Sequence, residues 1–239
     1  MHIEEISYQA DGRDLIGTYV VDDSRPDPKP AVLVCHEGPG LDVHAKGRAI
    51  RLASLGYAAF CLDYHGEGRQ HPMDEFMTRL GEFSEDPDRI RGIGYAGLEE
   101  LRVQPEVDPA RVAGIGFCYG GAVCLELARD GADLRAVVGF HSRLATTRPA
   151  APGSVRGSVL VCIGADDPLV PATDRVAFED EMRAAGADWR MHLYGNAVHS
   201  FTHYRGEDAP DLGFPGVEYH ELTDRRSWRA MLDLFDEVL

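Results

Sequence analysis

Apolar and polar positions alternate along this chain in blocks that predict a sequence of strands and helices. Residues 3–9 and 15–21 read as two strands around the turn Ala10-Asp11-Gly12-Arg13. Ala31-Val32-Leu33-Val34-Cys35 is a short, uninterrupted apolar run, the pattern of a buried parallel strand. A helix over 45–55, stopped by Gly56, and a strand over 57–62 follow. Residues 63–85 are polar, with a short helix expected at 73–83; an excursion of this kind commonly walls an active site. Asp86-Pro87 opens a helix to about residue 104, because Asp caps and Pro fits the first turn. Strands are then expected at 111–117, 134–141, 159–163 and 189–194, and helices at 119–129, 171–185 and 223–239. Strand–helix alternation after residue 30 implies an α/β fold: a mostly parallel central sheet with helices on both faces, and antiparallel N-terminal strands at one edge. Pro149 to Gly153 is rich in Pro, Ala and Gly, but it joins two strands expected in one sheet, so residues 1–239 are expected to form a single domain.

Composition narrows the partners. There are 24 Lys and Arg against 40 Asp and Glu, a formal net charge of −16, which repels nucleic acid and anionic lipid. The first residues lack a secretory pattern, and no apolar run approaches the roughly 18 residues of a membrane span. A cytoplasmic protein, monomeric or homodimeric, acting on a small molecule is expected. The 5 cysteines are odd in number and include no Cys-x-x-Cys, which argues against a disulfide framework or structural zinc. Cys35, Cys61 and Cys162 lie in apolar strand-like runs, and Cys124 in a helical stretch; all four read as packing residues. The histidines lack metal-site spacing, and His36-Glu37 runs into Gly-Pro-Gly, which breaks any zinc-protease helix. No metal or cofactor is expected.

Cys118 differs from the other cysteines because glycines surround it: Gly114-Ile115-Gly116-Phe117-Cys118-Tyr119-Gly120-Gly121 spans a strand-to-helix junction. The pattern resembles the Gly-x-Ser-x-Gly nucleophile elbow of α/β-hydrolases, with Cys in place of Ser. Such a turn lifts the sulfur above the sheet and aims the Tyr119 N–H, at a helix start, toward a developing oxyanion. The elbow predicts partners in the order nucleophile, acid, histidine. Gly164-Ala165-Asp166-Asp167-Pro168-Leu169-Val170-Pro171 supplies a carboxylate turn after a strand, with Asp167 favoured because the following Pro-Leu-Val-Pro stiffens the loop. His199, in Gly195-Asn196-Ala197-Val198-His199-Ser200-Phe201 after the last strand, supplies the base; His203 is its nearest rival. His199 would take the thiol proton, Asp167 would orient it, and the thiolate would form an acyl-enzyme that water releases. Two other classes fit a conserved fold with a different use: a non-catalytic small-molecule binder, and a redox-responsive thiol protein in which Cys118 is oxidised.

Gly-Phe-Cys-Tyr-Gly-Gly, Gly-Ala-Asp-Asp-Pro-Leu-Val-Pro and Val-His-Ser-Phe, in this order, resemble the dienelactone hydrolase family from about Pro30 onward. His36-Glu37-Gly38-Pro39-Gly40-Leu41 adds a fourth match. The resemblance implies hydrolysis of a carboxylic ester or lactone, as in carboxymethylenebutenolidase. It also implies that Glu37 controls Cys118 or contacts substrate, and that the Gly38 N–H is the second oxyanion donor beside Tyr119. Dienelactone-cleaving members bind a substrate carboxylate through arginines, one of them shortly after the histidine motif. Here that basic residue is displaced to Arg205, and Arg69 and Arg143 are the other candidates.

Overall fold

A computed structural model describes residues 1–24, 27–204 and 215–239. Strands β1 (His2–Ala10) and β2 (Arg13–Val21) pair antiparallel through the whole of their length. The turn between them places Asp11 and Gly12 at φ 51° and 69°, the left-handed pair of a two-residue hairpin turn. Six strands follow: β3 (Lys29–Cys35), β4 (Ala58–Leu62), β5 (Val107–Phe117), β6 (Ala136–Phe140), β7 (Ser158–Gly164) and β8 (Trp189–Tyr194). They form one sheet in the order β1-β2-β4-β3-β5-β6-β7-β8, with every neighbouring pair from β4 to β8 parallel and β2 antiparallel to β4. β3, β4, β6 and β7 are almost wholly buried, as is β5 from Val112 onward, which is why they read as unbroken apolar runs.

The described residues form six helices, five of which cover the sheet. On one face, α1 (Val43–Ser54) and α6 (Glu221–Val238) pack Ala49, Leu52, Trp228, Met231 and Leu234 against Val34, Ile115 and Val138. On the other face, α3 (Pro87–Arg102), α4 (Tyr119–Arg129) and α5 (Ala172–Ala185) bring Ile93, Leu98, Val123, Leu127, Phe178 and Met182 onto Leu33, Val137 and Val161. Side chains alternate along a strand, so Leu33 and Val34 serve opposite layers. α2 (Met73–Glu85) is the helix expected inside the polar excursion. This is the α/β-hydrolase fold.

Several ends differ from the sequence expectation by about two residues, and the start of β5 differs by four. β5 begins at Val107 because Lys29 pairs with Val107 before the register shifts at Ala31. α6 begins at Glu221, capped by the His220 imidazole, which accepts the Thr223 N–H at 3.2 Å; imidazole is a cap that the usual Ser/Thr/Asp/Asn preference does not flag. The sheet order reverses between β3 and β5: the chain leaves β3 for β4 on one side, and β5 continues away on the other. A crevice opens at such a reversal beyond the carboxyl ends of the strands. Glu37 and Gly38 follow β3 there, and Cys118 and Tyr119 follow β5. Among the described residues no helix is long and apolar enough to cross a membrane.

Candidate active site

Cys118 has φ 53° and ψ −117°, a conformation costly for a residue with a side chain. The surrounding glycines permit it. A Cβ on Gly116 would stand 2.0 Å from the Gly120 carbonyl oxygen, and one on Gly120 would stand 2.2 Å from that of His36. The α4 terminus is therefore wedged against the end of β3, which brings the two loops of the crevice together. The Cys118 N–H reaches both Phe140 O at 3.0 Å and His141 Nδ1 at 3.2 Å. Because Nδ1 accepts, the single proton of a neutral His141 sits on Nε2, which donates to Thr202 Oγ1 at 2.8 Å. Burial drives the His141 pKa well below 6.5 and keeps the ring neutral. His141 thus links the Cys118 backbone to the loop that carries His199. His141 and Ser200 also have positive φ, 41° and 54°, so backbone strain gathers around this one place.

His199 donates from Nδ1 to Asp167 Oδ2 at 2.8 Å, and both residues are buried. The other oxygen of Asp167 accepts the Leu169 N–H at 2.8 Å, which fixes the carboxylate plane. Asp166 is exposed. The backbone of His199 is held by the returning chain: its N–H donates to Gly216 O at 2.9 Å and its carbonyl accepts the Glu218 N–H at 3.0 Å. His199 Nε2 is buried and has no hydrogen-bond partner within bonding distance among the described residues. Burial opposes an imidazolium here, but the adjacent Cys118 and Asp167 outweigh it and raise the pKa to about 10.

Glu37 is buried and turned toward the His199 loop. Its Oε1 accepts from Ser200 Oγ at 2.9 Å, and its Oε2 accepts from His203 Nδ1 at 2.7 Å. His203 Nε2 stands 3.6 Å from Asp42 Oδ2, and its ring stacks on His44. Burial raises the Glu37 pKa, yet the His203 bond and the surrounding imidazoles prevail and hold the carboxyl well below its usual range.

Cys118, His199, Glu37, Gly38 and Tyr119 line one cavity of about 340 Å³, whose other walls are largely apolar. Phe76, Met77 and Leu80 come from α2, so the polar excursion does build a wall. Of the arginines picked out from the sequence, Arg143 lines the cavity; it is exposed and donates to Ser84 Oγ at 3.0 Å. Arg69 is not part of the lining: it is bonded to Glu67 and to the Gln70 carbonyl on the surface. Its neighbour Gln70 forms an antiparallel bridge with Gly40. Arg205 lies outside the described residues. His203, the rival base, bridges Glu37 and Asp42. Sequence reasoning missed His141, Tyr64 and His65; the run of histidines at strand ends was the available signal. Among the described residues no group of three or more His, Cys, Asp or Glu could hold a metal ion.

The sheet order, the strained strand-to-helix turn and the buried acid–histidine pair at its rim define an α/β-hydrolase. The model of the dienelactone hydrolase family matches residues 16–239, and the chain belongs to that family. The solved structure named m3DLH is 43% identical, covers all of this chain with 98% of its own, and superposes with a TM-score of 0.93. A dienelactone hydrolase-like promiscuous phosphotriesterase, P91, from metagenomic libraries is 40% identical with a TM-score of 0.91, covering 99% of this chain and 98% of its own. Carboxymethylenebutenolidase of Pseudomonas putida is 27% identical over 209 residues, which is 84% of this chain and 87% of that protein. The protein is thus a hydrolase of the dienelactone hydrolase kind.

Proposed function

We propose that this hydrolase cleaves a neutral, largely apolar carboxylic ester or lactone with Cys118 as nucleophile, His199 as base and Asp167 as its orienter. One observation carries the reading: a buried histidine, fixed by a carboxylate at 2.8 Å, shares a cavity with the thiol of a residue held at positive φ. His199 Nε2 holds the proton given up by the Cys118 thiol, and the sulfur attacks the substrate carbonyl carbon. The oxyanion is met by the N–H groups of Tyr119 and Gly38, both of which line the cavity beside Cys118. Collapse expels the alkoxide, which takes the proton back from His199, and leaves a thioester. Water, deprotonated by His199, then releases the carboxylic acid and regenerates the thiol.

The apolar lining and the ionised Glu37 support a neutral substrate. The promiscuous phosphotriesterase that is 40% identical over nearly the whole chain supports a second reading: slow attack of the same sulfur on a neutral phosphotriester. Intact-mass analysis across a panel of esters, lactones and a phosphotriester tests both. An adduct equal to the acyl group, absent in Cys118→Ala, is expected. Full turnover in Cys118→Ala would overturn the nucleophile; reversible binding with neither turnover nor adduct would favour a non-catalytic binder. Selective peroxide oxidation of Cys118 with no esterase activity would favour the redox reading. The buried thiols of Cys35 and Cys124 already face each other at 3.5 Å.

A further inference from the structure

We infer that Tyr64, together with His36 and His65, is a positioning residue that sets the direction of the Gly38 N–H. This rests on the reading of that N–H as an oxyanion donor. The peptide joining Glu37 to Gly38 is trans, as are all the described ones, so its C=O and N–H point in opposite directions. Whatever grips the Glu37 carbonyl from behind therefore aims the Gly38 N–H forward. The grip is unusually complete. The Glu37 carbonyl accepts from His36 Nδ1 at 2.6 Å, from the Tyr64 hydroxyl at 2.9 Å and from the Gly40 N–H at 3.2 Å. The same Tyr64 hydroxyl lies 3.1 Å from the His36 carbonyl. Gly38's own carbonyl accepts from His65 Nε2 at 2.7 Å, so the next peptide is held as well. On the forward side Gly38 lines the cavity with Cys118 and Tyr119.

The chemistry of the three rings suits the task. Tyr64 is fully buried and stacks on His36 with ring centres 3.8 Å apart and planes 20° from parallel. Burial raises the phenol pKa well above 10, so the hydroxyl remains a donor. Burial lowers His36 to about 4 and His65 to about 2, so each keeps one ring proton, and each commits it to this loop. The opposite nitrogens, His36 Nε2 and His65 Nδ1, are buried without a hydrogen-bond partner among the described residues, a cost a merely apolar core would avoid. Aligned donors must be in place before charge develops if they are to act without reorganisation.

Tyr64→Phe keeps the stacked ring and removes the one hydroxyl. Loss of an oxyanion donor outright costs about 10²–10³ in kcat; with two grips on the Glu37 carbonyl remaining, Tyr64→Phe is expected to lower kcat about tenfold and leave KM unchanged. In the resting protein, ¹⁵N relaxation is expected to show a rigid Gly38 amide in the wild type and exchange broadening in Tyr64→Phe. This second readout needs no turnover, so it decides the positioning role even if Cys118 proves not to be the nucleophile. An unchanged Gly38 amide, or a rise in KM with kcat preserved, would overturn the inference. Should Tyr64→Phe fail to fold, His65→Gln against His65→Leu makes the same test, since the glutamine amide can place a donor where Nε2 stood. Gly38 order and kcat kept in His65→Gln and lost in His65→Leu are expected; equal behaviour of the two would refute the role.

Discussion

His203 donates its Nδ1–H to Oε2 of Glu37 across 2.7 Å, joining two buried residues 166 positions apart. In the family resemblance a basic residue shortly after the histidine motif faces the substrate; here the residue in that stretch faces the protein's own carboxylate. Glu37 is consequently part of a braced wall, with Ser200 on its other oxygen. That wall couples the loop after β3 to the loop carrying His199.

Breaking this brace should be felt in stability before it is felt in chemistry. His203→Leu leaves a buried carboxylate with one fewer donor, and the loss of such a bond to a charged group costs about 2–4 kcal/mol. Denaturant unfolding should show that decrease, and the Glu37 pKa, read by carboxyl NMR, should rise. A stability change under about 0.5 kcal/mol would mean that the contact carries no weight.

The His199–Asp167 pair predicts a sharply different outcome. Asp167→Asn keeps the side-chain shape but removes the charge and offers the wrong hydrogen-bond partner to Nδ1. By analogy with other hydrolytic triads, kcat should drop by about 10⁴ with the fold intact. Asp166→Asn, at an exposed neighbour, should change kcat less than about twofold. If the two exchange places, the acid has been assigned to the wrong aspartate.

pH dependence follows from the raised His199 pKa. Burial acts against the imidazolium, and Cys118 with Asp167 overrides it to about 10. A folded pKa above the unfolded one, about 6.5, means stability that is complete below about pH 6.5 and is lost as pH rises through about 10. Activity should fall over the same alkaline limb, because a deprotonated His199 cannot return a proton to the leaving alkoxide. Removing the sulfur in Cys118→Ala withdraws one of the raising influences while burial stays, so the His199 pKa should move down. Imidazole NMR titration of the two proteins reads this directly, and equal pKa values would remove Cys118 from the vicinity of the base.

Much of this site was legible because a single local rule governs it. The spacing of Gly116, Cys118 and Gly120 follows from how closely a strand and a helix must approach, and the position of His199 beyond the last strand follows from chain order. His141 was not legible in that way. Its role comes from a positive φ that turns the ring back toward Cys118 N and from Thr202, 61 residues further on, meeting its other nitrogen. The partners of Glu37 were hidden for the same reason, since Ser200 and His203 reach it only after the sheet closes. Tyr64 carries no local signal of its role. That its hydroxyl meets two consecutive carbonyls depends on the register of β4 beside β3, which no short motif records.

Substrate charge is the remaining consequence of the wall that Glu37 and His203 build. The cavity presents an ionised carboxylate and mostly apolar side chains, and the arginine at its edge is exposed and tied to Ser84. A substrate carboxylate brought within ~8 Å of Glu37 would be repelled by about 2 kcal/mol at an effective dielectric constant of about 20. That corresponds to roughly thirtyfold in kcat/KM. Solvent on the open side and Arg143 reduce the figure, so at least about fivefold discrimination should survive between a neutral ester and the same ester bearing a terminal carboxylate of matched length. Glu37→Gln should narrow the ratio by relieving the anionic ester, while Arg143→Met should widen it slightly. A preference for the anionic ester that Arg143→Met abolishes would reverse the assignment and make that arginine the recognition group.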